Sequence, residues 1–472
     1  MRLKKGLLFV LLYGLLIFVL TGCSGGGGSD SSVVFQDGSA EHPYLIAGAG
    51  DLRNIGIGSF ELNKHYKLTG DIVIAEEWDP IGTEENPFSG VFDGNGYIIR
   101  GDINRSNSDT PYVGLFDYIG PEGEVKNIKW GAQIYAGDSD YVGAIAGYNE
   151  GLIEKVTFNG NVESTGDYVG SIAGYNTGEI IDVANQGQVY GGDFVGGLVG
   201  VNEGLISIGF HIGEVGRNPE VEIQSNIVGG IAAVNSGTIE KVSAINGTVY
   251  GKYSLDSNVD GGVGGIVGFN DGGTISECVS SITVNGKDNV GGMAGYSKGG
   301  TIINSYCVNS NISKAHNGDM EFAEYKNIGF FIGMAEDVLI ENTYNQHRSN
   351  LEDVENFGYY IGNLDEDSSI SYSYLLYFEE DSEAVLVGNL DNSSVTGISI
   401  IISQEDAENQ ESYSRFVFDT DSDDESEIEP LWTMEDNQGD WQTWWAYPKL
   451  ISQEEKWLTH SDWRGSWEDN IQ

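Results

Sequence analysis

Basic residues, cysteine, histidine and long apolar runs are all scarce in this chain. Lys and Arg number 23 against 72 acidic residues, a formal net charge of −49 over 472 residues. Such a surface repels nucleic acid and anionic membrane, and it keeps a chain soluble and monomeric. A saline exterior suits it, because screening over about 8–10 Å relieves the self-repulsion. The six histidines are His42, His65, His211, His316, His347 and His460, and no two stand four apart. That excludes the His-Glu-x-x-His zinc helix. No Gly-x-x-x-x-Gly-Lys-Ser/Thr loop occurs, so that class of nucleotide site is excluded as well. The apolar run from Leu7 to Leu20 is short of the roughly 20 residues that a membrane-spanning helix needs.

What is abundant is glycine, at 68 residues, and it is periodic. Similar phrases begin at Tyr141, Tyr168, Phe194, Ile227, Gly262 and Asn289, and the first three starts are 27 and 26 residues apart. A unit of that length is one coil of a solenoid. Within a unit, short β-branched and aromatic runs such as Leu152 to Phe158 are bounded by Gly, Asn and Asp, which makes them strands. Three strands and three turns cannot bury an apolar face alone, but stacked copies can if each strand pairs in parallel with its equivalent. The expected fold is therefore all-β, a parallel β-helix (β-solenoid) of roughly ten coils.

Fixed offsets assign structural roles. Asn149, Gly151, Asn176, Gly178, Asn202, Gly204, Asn235, Gly237 and Asn270 recur at one turn. Both residue types tolerate the left-handed backbone of a sharp corner, and Asn stacked on Asn can form an amide ladder. Ile153, Ile180, Ile206, Ile239, Ile275 and Ile302 share one register, with Val156, Val183, Val242 and Cys278 three residues later. Both sets read as core, so a bend or bulge must lie between them. Tyr148, Tyr175, Phe269 and Tyr296 align just before the turn and read as a packed aromatic stack. Aligning Val263 with Val290 puts Cys278 over Ser305 and Cys307 over Ser280. The diagonal, roughly 8 Å, exceeds the 7 Å that a disulfide tolerates, so both read as free buried thiols.

These residues resemble the GLUG repeat of bacterial surface proteins, whose Gly-Leu-x-Gly core Gly197-Leu198-Val199-Gly200 reproduces. Upstream segments at His42, His65, Trp78 and Phe88 look like the leader that precedes such repeats, and the resemblance covers about residues 40–375. It implies an extracellular solenoid of the kind found in adhesin-like proteins and in the non-catalytic part of some immunoglobulin A metalloendopeptidases. It does not imply a reaction.

The N-terminus resembles that of bacterial lipoproteins: Arg2, Lys4 and Lys5, the apolar run, then the lipobox Leu20-Thr-Gly-Cys23. This implies a signal peptide over 1–22, diacylation of Cys23, and export to the cell envelope, with Ser24 favouring the outer membrane. Residues 23–39 then hold the lipidated Cys and a Gly/Ser tether, 40–111 the leader and first coils, and 112–375 the repeats. Residues 376–472 hold degenerate coils, an acidic insertion and a Trp-rich segment that reads as a cap for the open end. Trp441, Trp444 and Trp445 could instead stack on a sugar. Asp419, Asp421 and Asp423 alternate like a calcium loop, but Asp424 and Pro430 fall where an EF-hand needs Gly and Glu. A solvated insertion is the plainer reading, and no cofactor other than that weak calcium candidate is expected.

Parallel β-helices also host polysaccharide lyases and glycosidases. A lyase acting on an anionic polysaccharide needs basic groups, and only eight basic residues lie between Tyr112 and Cys307. A glycosidase needs two carboxylates, and among 72 acids sequence spacing is silent about them. The expected function is thus binding or display on a lipid-anchored surface solenoid, with a host or neighbour-cell protein or glycan as partner. A carbohydrate-active enzyme and a structural spacer are the alternatives.

Overall fold

The computed structural model describes residues 36–401, apart from 75–77, 106–109, 219–222, 225, 252–260, 309–310, 315–324, 347–353, 377–384 and 391–397, together with Trp432–Glu435 and Tyr447–Leu450. Residues 1–22, Cys23, Trp441, Trp444, Trp445, Asp419, Asp421 and Asp423 lie outside the described residues.

One coil is read from residues 141–163. Tyr141–Val142 lies in one sheet, Ala146–Asn149 in a second and Leu152–Glu163 in a third, longer one. Each strand pairs in parallel with its counterpart one coil on, so Ala146 sits beside Ala173, then Val199, Ala232, Val267, Ala294, Ile332 and Ile361. The second sheet holds nine strands, from Phe116–Ile119 to Ile361–Leu364, and the long sheet holds 23. The chain is a parallel β-solenoid of about nine turns. The leader continues the stack, because Tyr44–Ile46 pairs with His65–Leu68, that strand with Val91–Asp93, and that with Glu124–Tyr135. Among the described residues the only helix is Ala49–Leu52. Two antiparallel pairs break the pattern there, Arg217–Asn218 with Ile223–Gln224 in the insertion after Gly213, and Trp432–Glu435 with Tyr447–Leu450 near the Trp-rich end.

The core is a set of columns. Val125, Ile153, Ile180, Ile206, Ile239, Ile275, Ile302 and Ile340 are all fully buried, one per coil. Ile128, Val156, Val183, Val242 and Cys278, three residues on, are buried as well. A strand has period two, so both sets can face inward only if the chain turns between them. One left-handed residue per coil does this: Asn127, Lys155, Asp182, Ile208, Lys241, Glu277, Asn304 and Asn342, with φ between 50° and 56°.

The glycines work differently from the expectation. Neither the turn asparagines nor Gly151, Gly178, Gly204 and Gly237 have positive φ, so the corner is not left-handed there. Close approach between coils explains them instead. A Cβ on Gly178 would stand 2.1 Å from the Gly151 carbonyl oxygen, and one on Gly204 would stand 2.1 Å from that of Gly178. Cys278 and Cys307 are free and buried, with Ser280 paired to Cys307 and the Cys278 amide donating to Ser305 Oγ at 3.1 Å.

Candidate binding face

The turn asparagines are fully buried and bond into one column. Asn149 Nδ2 donates to Asn176 Oδ1 at 2.7 Å, Asn176 to Asn202 at 2.8 Å, Asn202 to Asn235 at 2.8 Å and Asn235 to Asn270 at 2.9 Å. Ser297 ends the column by accepting from Asn270 at 3.2 Å. A second column, Asn289, Asn327 and Asn356, runs through later coils with links of 2.8 and 2.9 Å. The first column faces inward, and its amides are spent largely on each other.

Beside the first column the outer surface carries aromatic rings. Gly147 and Gly174 let two sheets fold closely together, since a Cβ on Gly147 would stand 2.8 Å from Tyr112 Cβ and one on Gly174 would stand 2.5 Å from the Val142 amide. Ring columns line both sides of the resulting seam. Tyr112, Tyr141, Tyr168 and Phe194 follow one another at 5.0 Å between centroids. Tyr118, Tyr148 and Tyr175 stack at 4.7 and 5.0 Å, within 5° of parallel. The columns meet at 5.7 to 6.4 Å, with Tyr141 and Tyr148 at 6.2 Å. The expected stack through Phe269 and Tyr296 is a separate pair at 5.1 Å, because Val201 and Val234 occupy the intervening rungs.

Because each ring covers its neighbour's face, the seam presents ring edges and hydroxyls. The hydroxyls point at acids: Tyr175 donates to Glu203 at 2.5 Å, and Tyr112 to Glu84 at 3.2 Å. Burial, then the adjacent Glu84, pushes the Tyr112 hydroxyl up to about 12. Burial followed by Glu150 raises Tyr118, and burial followed by Glu203 raises Tyr175. The hydroxyls therefore stay protonated and the carboxylates are held in place as acceptors. On the other flank Asp167 accepts the Asp193 amide at 2.7 Å, and Asp140 accepts that of Asp167 at 3.3 Å. No Lys or Arg occurs from Val156 to Gly216. At the head of the seam Asp117 takes the place that Gly147 holds one coil on, and burial raises its carboxyl to about 7, partly opposed by Arg105.

Two other chemical groupings resolve into structure. Gly295-Tyr296-Ser297-Lys298-Gly299 fits the Gly-x-Ser-x-Gly pattern of a nucleophile elbow. Ser297 is fully buried within strand Ala294–Lys298 and ends the amide column, so it is not presented as a nucleophile. Among the described residues no group of three His, Cys, Asp or Glu could hold a metal ion.

The fold and this face define a parallel β-solenoid with an aromatic, acidic flank. No family model matches the chain. Over 169 residues it is 34% identical to an Evansella cellulosilytica protein provisionally named a Gly-rich membrane protein, covering 33% of this chain and 19% of that one. Over 136 residues it is 34% identical to the halomucin of Haloquadratum walsbyi, covering 26% of this chain and 2% of that one. The chain thus spans under one fifth of the length of these curated relatives. It is also similar to the crystal structure of a Bacteroides ovatus protein provisionally named an immunoglobulin A1 protease. There the TM-score is 0.41 and identity 19%, over 64% of this chain and 85% of that one.

Proposed function

We propose that this chain is an envelope-associated β-solenoid, tethered through a lipid on Cys23, that acts by binding or display in the manner of GLUG-repeat adhesins. The observation that carries this reading is the seam, where successive coils present aromatic rings about 5 Å apart along one face, flanked by carboxylates. Repetition multiplies weak contacts into avidity, which suits a surface binder better than a single pocket would. Likeness to a protein provisionally named a membrane protein supports the envelope assignment. The partner is a protein or glycan of a host or neighbouring cell.

The test uses the full-length chain in its native membrane and after detergent extraction. Cys23→Ala should move it from the membrane to the soluble fraction. The extracted protein should retain cells or glycans on an array, and Glu150→Gln with Glu203→Gln should weaken that retention at least tenfold while leaving the circular dichroism unchanged. A protein that binds neither cells nor glycans would overturn the binding reading. Release of reducing ends or unsaturated products from polysaccharides would replace it with the enzyme.

A further inference from the structure

Deep in the solenoid, away from the seam, two neighbouring coils carry polar residues where the rest of the column is mostly apolar or small. Phe158, Asn185, His211 and Ala244 stand in one register. Asn185 and His211 are fully buried. Neither amide atom of Asn185 and neither ring nitrogen of His211 has a hydrogen-bond partner. The Gly213 backbone lies close enough to act on the imidazole but makes no hydrogen bond of ordinary geometry with it. Burial without partners is costly for such groups, and an internal water with two to four polar neighbours is the usual resolution.

Two glycines set the packing around the pair. Gly209, two residues before His211, occupies the inward slot that Val183 and Val242 fill in the adjoining coils, and Leu198 Cδ1 lies 3.3 Å from where its Cβ would stand. Across the interior stands Gly197, and the imidazole takes up the space its missing Cβ leaves, with His211 Cγ 2.7 Å from that position. Ser171 does not compete for these atoms, because its hydroxyl donates to the Gly197 carbonyl at 2.6 Å.

We infer that Asn185, His211 and the Gly213 backbone form an internal hydration site, a polar chamber for ordered water between two apolar rungs. The water satisfies the amide and the imidazole together, so each side chain depends on the other to hold it. His211 stays neutral there, since burial moves its pKa down to about 3.

An atomic-resolution crystal structure of the full-length chain should show water density within hydrogen-bonding distance of both side chains. A direct Asn185–His211 bond with no water, or a dry site, would overturn the inference. Denaturation provides an independent readout. Asn185→Leu and His211→Leu should each lower the urea midpoint, and the double variant should lose less than the sum of the two. If the pair were dry and unpartnered, either substitution would remove an unsatisfied group and raise the midpoint, and that result also refutes the site. Should His211→Leu fail to fold, Asn185→Leu and the crystallographic water decide.

Discussion

Asn202 sits in the middle of the first amide column and offers the most direct test of what holds the coils together. It accepts from Asn176 at 2.8 Å, donates to Asn235 at 2.8 Å, and also reaches the Gly204 carbonyl at 3.2 Å. Asn202→Ala deletes both links and leaves the Asn235 carbonyl buried with no donor. Two hydrogen bonds at about 1 kcal/mol each, plus about 1–3 kcal/mol for the orphaned acceptor, sum to about 3–5 kcal/mol. Asn149, at the start of the column, provides the comparison. It makes one link in the column, to Asn176, reaches the Gly151 carbonyl at 3.1 Å, and its own Oδ1 already lacks a partner. Asn149→Ala also strands the Asn176 carbonyl, but it removes an acceptor that was already unsatisfied, so the two offset and the lost link leaves a cost of only about 1–2 kcal/mol. Urea denaturation followed by circular dichroism measures the difference, and native-state hydrogen exchange should show lost protection centred on residues 173–238. If Asn202→Ala costs no more than Asn149→Ala, the amides stack without bonding and the column is not a source of stability.

Three further outcomes are expected. Burial raises the Asp117 carboxyl from 3.8 to about 7, so the folded chain holds a proton that the unfolded chain has released between those values. Stability should then fall as pH rises from about 4 to 7, by up to about 4 kcal/mol, and Asp117→Asn should remove that slope from the denaturation midpoint. Gly204→Ala would place a Cβ 2.1 Å from the Gly178 carbonyl, which should cost about 3 kcal/mol, whereas Gly48→Ala, with nothing within 4 Å, should be neutral by the same assay. Ile208 is the β-branched residue among the left-handed corner positions, at φ 56°. Ile208→Asn, matching Asn127 and Asn304 in that slot, should raise the midpoint by about 1 kcal/mol, and a lowered midpoint would contradict the strain.

Much of the coil was legible because identical residues at a 26–27 residue spacing must stack. The isoleucine column, the turn asparagines and the diagonal cysteines all follow from that register. The corner residue was not legible, since Lys155, Asp182, Ile208, Lys241 and Glu277 share a backbone conformation and no chemistry. The second asparagine column was hidden by insertions that spread Asn289, Asn327 and Asn356 to unequal spacings. Tyr141 and Tyr168 were visible as motif heads, but their meeting with Tyr148 and Tyr175 depends on how closely Gly147 and Gly174 let two sheets approach. Left-handed Asn-x-Gly corners were expected from turn chemistry, which says nothing about the carbonyl of the coil beneath.

In the column from Asn149 to Asn270 every amide nitrogen points toward the following coil, so the side-chain dipoles add head to tail and polarise one another. The column consequently has a direction. Its carbonyl end stops where Ile119 underlies Asn149, and its amino end stops where Ser297 gives way to Ala335. A coil duplicated between those ends inherits a donor below and an acceptor above, while the termini stay as they are. The reach of this molecule can therefore be lengthened or shortened by whole coils, in steps of about 4.8 Å, without redesigning what lies at either end.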